Sequence, residues 1–299
     1  MPQISPDGQW IAYASDESGT YQVYVQPFPW PGGKTQISTD GGHFPRWARK
    51  GRELFYRNGD RMMANGNWEI NMAYFPVFTR EDRDIEAPLL DINYGWGDRI
   101  QLKCQTPYIW NKDGETTYRG ALGNTLLGVK WRFYQQSREG GWNISTYPQV
   151  DINNPDNSYA RGLVELGPRL LLPIEITKTF GPLEANLEVG YWFNRQSRDG
   201  RILGLAFGHQ FTRRFEGLAE VYDEVLLGGA ARSTTFDFGG RYEFHKGLLF
   251  IFMAGRSFSE FSGRNSGQPS FIAYVGLQVQ INKGPKKKRP NPPPGFPHM

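Results

Sequence analysis

The chain has 299 residues and a formal net charge of +4, with 36 glycines, nine tryptophans and one cysteine. The lone Cys104 excludes an intrachain disulfide and a cysteine-rich metal site, and the basic run Lys286-Lys287-Lys288-Arg289 alone supplies the net charge, leaving no basic face for nucleic acid. No apolar run approaches the about 20 residues of a membrane-spanning helix, but strands that cross a membrane hide their apolar face in every second residue.

Taken in chain order, the first 64 residues read as turns and short strands. Ser5-Pro6-Asp7-Gly8 is a turn and Trp10 to Ala14 a strand. Ser15 to Gly19 is a second turn and Tyr21 to Val25 a second strand. Gln36 to Ser38 is a short third. Pro45-Arg46-Trp47 then opens a further turn-strand unit that runs through Leu54-Phe55-Tyr56, about 43 residues after the first, a propeller-blade spacing. Ser5-Pro6-Asp7-Gly8, Ile11-Ala12-Tyr13, Val23-Tyr24-Val25 and Glu53-Leu54-Phe55-Tyr56 resemble the TolB-type WD40-like propeller repeats. The expectation for 1–64 is a partial propeller remnant, a small sheet outside whatever follows. Met1 to Gly8 has no basic, apolar or cleavage region of an export signal, so an exported product is expected to be longer than this chain, which then reads as a fragment or a fusion.

From 65 to 282 the pattern changes. Twelve runs alternate apolar and polar residues: 68–78, 86–94, 98–110, 123–136, 142–152, 168–179, 183–193, 201–211, 215–227, 233–245, 248–258 and 270–282. The gaps between them alternate in length. Gly95 to Gly97, Ser137 to Gly141, Gly181-Pro182, Thr212 to Arg214 and Lys246-Gly247 are short. Asn111 to Leu122, Asn154 to Gly167, Asn194 to Gly200 and Ser259 to Pro269 are long. Short turns on one rim and long loops on the other, joined by an even number of strands of about ten residues, predict an all-β fold, an antiparallel transmembrane-type β-barrel. The final stretch, 283–299, is rich in proline and lysine and is expected to be a disordered tail.

Successive strand residues face opposite ways. Leu127, Val129, Trp131 and Phe133 alternate with Gly128, Lys130 and Arg132. Leu183, Ala185, Leu187 and Val189 alternate with Glu184, Asn186 and Glu188. A soluble barrel would have to fit the aromatic-rich set inside. Turned outward into lipid, that set leaves a polar lumen and places Trp68, Tyr74, Tyr94, Tyr108, Trp110, Trp131, Trp142, Tyr191 and Phe193 in interfacial girdles.

Several segments carry a family likeness. Ala87-Pro88-Leu89-Leu90-Asp91-Ile92-Asn93-Tyr94-Gly95, Leu126 to Tyr134, Ser145-Thr146-Tyr147-Pro148-Gln149, Leu172-Pro173-Ile174-Glu175 and Gly239-Gly240-Arg241-Tyr242-Glu243 resemble the outer-membrane family of the MetA pathway of phenol degradation, a group of transporters. The resemblance implies a barrel in the bacterial outer membrane, provided the chain is exported.

The lumen-facing candidates are Lys103, Lys130, Arg132, Asp151, Glu175, Glu184, Glu188, Glu216, Glu220, Glu224, Asp237, Arg241 and Glu243. Cations on the third and fourth strands oppose carboxylates on the ninth and tenth. This predicts either a transverse field across an open pore or an interior closed by mutually satisfied ion pairs. No metal, cofactor or catalytic residue is predicted: the four histidines are scattered, and there is no Gly-x-Ser-x-Gly elbow. The expected function is a passive conduit or transporter for small solutes, with aromatic or apolar ones as candidates. Its partners are the lipid bilayer and the solute, with no nucleic acid and no enzymatic activity. The alternative is a soluble or periplasmic β-rich interaction module built around the propeller-like segment.

Overall fold

The computed structural model describes residues 2–15, 17, 22–29, 32–38, 43–47, 54–57, 62–63, 65–78, 82–113, 117–136, 141–156, 158–164, 166–180, 183–195, 198–212, 214–228, 231–257 and 271–282. The expected tail, 283–299, lies outside them.

The chain opens with β1 (Gln3–Ile4), β2 (Trp10–Ser15), β3 (Gln22–Pro27) and β4 (Thr35–Gln36), a four-stranded antiparallel meander in sequence order. Ala12 and Val23 are fully buried in it, and Val25 nearly so. The Ser5 hydroxyl ties the first turn, donating to Asp7 Oδ1 at 2.5 Å and accepting from the Trp10 N–H at 3.0 Å. A separate pair follows, β5 (His43–Trp47) with β6 (Leu54–Arg57). Pro45-Arg46-Trp47 therefore sits within a strand and not in the turn expected of it.

The barrel begins at β7 (Trp68–Phe78). It continues through β8 (Asp82–Trp96), β9 (Ile100–Asp113), β10 (Arg119–Leu122), β11 (Thr125–Gln135), β12 (Trp142–Thr146), β13 (Gln149–Ile152), β14 (Arg169–Phe180) and β15 (Leu183–Asn194). It ends with β16 (Gly200–Gln210), β17 (Phe215–Leu226), β18 (Ala231–His245), β19 (Leu248–Ser257) and β20 (Phe271–Ile281). β10 and β11 both pair with β9 and form one stave, interrupted at Gly123-Asn124. β12 and β13 both pair with β11 and β14 and form another, interrupted at Tyr147-Pro148, where proline has no N–H for the ladder. Among the described residues this makes twelve antiparallel staves. The last pairs with the first, Ile281 opposite Trp68 and Val279 opposite Ile70, so the sheet closes. Closure leaves no edge whose N–H and C=O groups would face lipid.

Both barrel ends lie on the rim of short turns. One of them, Lys246-Gly247, joins β18 to β19 with Gly247 at φ 75° and its N–H donated to Glu243 Oε1 at 3.0 Å. A side chain there would also meet the Gln280 carbonyl at 2.9 Å. Asn65 to Asn67 is stitched to this rim as well: Gly66 N–H reaches the Gly95 carbonyl at 2.8 Å and Gly97 N–H reaches Asn65 Oδ1 at 3.0 Å.

On the opposite rim the connection from β13 to β14 folds along the outer edge of β10. Asp156 accepts the Leu122 N–H at 2.8 Å, Asn154 holds the Gly123 carbonyl, and Asn153 Oδ1 accepts the Gly167 N–H at 2.7 Å. Polar side chains thus satisfy a strand edge that stands above the apolar band.

The alternation of the sequence is realised as two faces. Val129, Trp131, Leu172, Ile174, Val189, Phe238, Val275 and Leu277 are all exposed. Their neighbours of opposite parity, Arg132, Ser145, Glu175, Glu184 and Gln278, are buried. Large aromatics gather near the strand ends of the outer face. Trp68 packs at a tilt against Tyr94 with ring centres 4.6 Å apart, as do Tyr108 and Trp110 at 5.0 Å and Tyr191 and Phe193 at 4.7 Å. Lys178 lays its ammonium 4.9 Å from the Trp142 ring and 5.8 Å from Phe180, as a side chain does when an apolar stem ends at a wet interface.

Candidate functional site: the barrel interior

Register places the candidate charges on one continuous inner face. Gly128 pairs with Lys103, Asp151 with Leu126, Glu175 with Ser145 and Glu188, Glu220 with Asp237, and Glu216 with Arg241. Glu184 and Gly208 are partners, as are Glu224 and Ser233, and Glu243 and Leu249.

These charges are joined along the inner face, between neighbouring staves or, for Lys130 and Glu175, past the stave of β12 and β13 that lies between them. Lys130 Nζ lies 2.5 Å from Glu175 Oε2, Arg169 2.5 Å from Asp151, and Arg241 2.6 Å from Glu216. Lys103 stands 3.7 Å from Asp91. Arg132, 7% exposed, donates to the Asp98 carbonyl at 2.7 Å. Charges in a partly desolvated interior need such partners, because burying an ion alone costs several kcal/mol. The cations expected to form one wall of a transverse field are therefore engaged within that wall, Lys103 and Lys130 by carboxylates and Arg132 by a backbone carbonyl.

Carboxylates also meet each other. Glu175 is directly opposite Glu188, and Glu220 is directly opposite Asp237. Like charges in facing positions repel. Lys130 serves the first pair through Glu175.

Tyrosines share the inner face. Tyr147, at the interruption between β12 and β13, lies across Gly128, where an added Cβ would meet its ring at 2.8 Å. Lys130 Nζ is 5.7 Å from the same ring. Tyr222 is opposite Gly204, and Tyr274 has the parity of Gly276 and Gln278. These tyrosines, Asp91 and Arg169 are interior residues outside the expected lumen-facing set. The signal was there for Tyr222, which shares its parity with Glu220 and Glu224, and for Asp91, which alternates with Leu90 and Ile92.

A cavity of about 300 Å³ opens on the inner wall from β15 to β20, with Glu184, Glu220, Asp237 and Tyr274 among its lining residues. Among the described residues there is no group of three or more His, Cys, Asp or Glu side chains able to hold a metal ion.

A closed antiparallel barrel with an oily, aromatic-girdled outside and a charged inside is the fold of an outer-membrane channel. No family model matches the sequence, and no curated protein matches it either. Solved structures do. An outer-membrane channel from Pseudomonas putida F1 superposes with a TM-score of 0.58 at 12% identity, covering 75% of this chain and 99% of that one. The KdgM porin gives a TM-score of 0.51 at 10% identity, covering 72% and 99%. The NanC porin gives 0.50 at 8%, covering 71% and 98%. At these identities the likeness is one of fold.

Proposed function

We propose that the chain is a bacterial outer-membrane β-barrel that conducts small solutes passively through its lumen and carries no catalytic activity. The observation that carries this is the closure of β7 onto β20 around a charged interior, with apolar residues outside at every second position. Lipid is the only solvent that suits such an exterior. The pore-lining set is the inward group from Lys103 to Glu243 named above, extended by Asp91, Arg169 and the three tyrosines. Aromatic or apolar solutes remain the candidates, in keeping with the resemblance to the MetA-pathway transporters.

The division of labour we infer is a barrel over 65–282 preceded by a propeller remnant. The single four-stranded meander β1 to β4 has the strand number and order of one propeller blade. The experiment is reconstitution of the full chain into planar bilayers and vesicles. Discrete current steps and solute-driven vesicle swelling are expected. A protein that is folded and monodisperse in plain buffer without detergent overturns the reading in favour of a soluble interaction module.

A further inference from the structure

The outward face of β16 to β19 differs at its two edges. Near the short turns it is aromatic: Phe211 stacks on Phe215 at 5.7 Å, and Tyr242 is opposite both Phe215 and Phe250. Near the long loops it carries arginines. Arg201 and Arg232 are each opposite Val225, so they stand in one row on the staves either side of β17, and both are exposed. Arg256 on β19, also exposed, is opposite the outward Phe236.

Their height on the wall matters. They lie roughly nine to fourteen residues up their strands from the short turns, which is about 23 to 35 Å at about 3.3 Å per residue and a tilt of about 40°. The apolar band of such a barrel is about 25 Å tall, so the arginines border its upper edge, where headgroups begin. Leu203, Leu205, Val221 and Phe236 lie exposed alongside and below, a surface for acyl chains.

The row is braced. Asp223, on the outward parity between Val221 and Val225, accepts from Arg232 Nε at 2.9 Å and from the Thr234 hydroxyl at 2.6 Å. Arg232 stays 62% exposed above this carboxylate, which is 18% exposed. The charge of Arg201 acts on the same carboxylate. In the loop above, Arg198 donates to the Gly228 carbonyl at 3.1 Å, and Asp199 accepts from the Tyr191 hydroxyl and the Asn194 N–H. A guanidinium held through Nε–H still has four N–H groups on its two Nη atoms. Such forks match phosphate oxygens two at a time, and a membrane surface strengthens the attraction for an anionic headgroup.

We propose that this arginine row is a docking surface for a phosphate-bearing lipid headgroup of the leaflet on the long-loop side, its acyl chains lying on the apolar residues beneath. The inference rests on the outer-membrane barrel reading, which puts lipid against this face, and goes beyond it by naming the headgroup chemistry.

The test uses the full chain refolded in a neutral detergent, with lipid A, its fully dephosphorylated form and inorganic phosphate as probes. Native mass spectrometry counts the lipid retained. The wild type is expected to hold lipid A about tenfold more tightly than the dephosphorylated lipid. Arg201→Gln combined with Arg232→Gln is expected to remove most of that preference, and Lys178→Gln on the other rim to leave it unchanged. Circular dichroism checks that the variants fold, and the wild-type comparison stands even where one does not. Equal retention of the two lipids overturns the inference, as does a preference that the double variant keeps or that Lys178→Gln abolishes as well. Displacement of lipid A by an equal concentration of inorganic phosphate also overturns it, because the row would then read free phosphate and not lipid. The barrel reading is judged separately. A chain that inserts into vesicles and shows no headgroup preference loses this inference alone, whereas a chain monodisperse in plain buffer loses both.

Discussion

Lys130 and Glu175 meet across a break in the barrel wall, ammonium to carboxylate at 2.5 Å, although they belong to staves that are not hydrogen-bonded to each other. The stave between them is interrupted at Tyr147-Pro148, and Lys130 crosses above the Tyr147 ring to reach its partner. One cation thereby serves Glu175 and moderates the facing Glu188.

Lys130→Gln is therefore expected to destabilise the barrel strongly. Removing one partner of a buried pair costs about 3–5 kcal/mol. The low end applies here because the side chains are 19% and 9% exposed. Adding Glu175→Gln should restore most of the loss, since the uncompensated carboxylate goes with it. Urea titrations of both variants folded into vesicles check this. A single variant as stable as the wild type would show that the pair contributes nothing.

Much of this fold can be read in the sequence, and the reason is the lipid. Every second residue must be apolar wherever a stave crosses the bilayer, so 183–193 was expected and Leu183–Asn194 is found. Where a stave leaves the bilayer that pressure ends but the ladder continues. This is why β8 begins at Asp82 and not near 86, its extra turn-side residues pairing with Trp110 to Asp113. Arg119–Leu122 likewise falls within the expected long loop from Asn111 to Leu122, yet it is a strand whose partners are Tyr108 to Asn111. Parity also tells which residues face inward. It does not tell register, and register decides who pairs with whom. Lys103 with Asp91 and Lys130 with Glu175 depend on stave offsets and on a proline interruption that leave no mark in the alternation.

The single cysteine reports on the outer face. Cys104 pairs with Leu127 and Ile92, which places its thiol on the apolar side, and it is exposed there. A small fluorophore attached to it in vesicles should emit at short wavelength and be quenched by brominated lipid chains. Quenching by aqueous iodide instead would place Cys104 in the lumen and invert every face assigned here.

The N-terminal sheet should respond to acid through Asp7. The Ser5 hydroxyl, and then the Gln9 N–H, hold its carboxyl below the ordinary carboxylate range. A depressed value in the folded state means the turn is favoured while Asp7 is charged. That contribution is complete above the unfolded value and is lost as pH falls through the folded one. Amide exchange at Gln9 and Trp10 should accelerate relative to the intrinsic rate between about pH 6 and about pH 2.5, and Asp7→Asn should abolish the difference. Equal protection at both pH values would remove Asp7 from the turn.

The orientation of the whole barrel is tested by two arginines. Val129 on β11 and Leu187 on β15 lie mid-stave on the exposed face, at 45% and 37%. Their successors Lys130 and Glu188 belong to the inner face, where Lys130 has its carboxylate and Glu188 its cross-strand neighbour. Val129→Arg and Leu187→Arg are expected to cost about 2–4 kcal/mol each when they fall at the bilayer midplane, and about 0–1 kcal/mol if they fall near an interface. The penalty should be larger in thicker bilayers, because a long side chain can reach the headgroups of a thin one. Glu188→Gln removes one of two facing carboxylates and should leave folding intact or improve it. The period of two makes the comparison decisive, since a slip of one residue exchanges every assignment. Folding titrations into vesicles of two thicknesses measure all three variants. Tolerated arginines together with a Glu188→Gln chain that no longer inserts would mean that the oily face points inward, away from lipid.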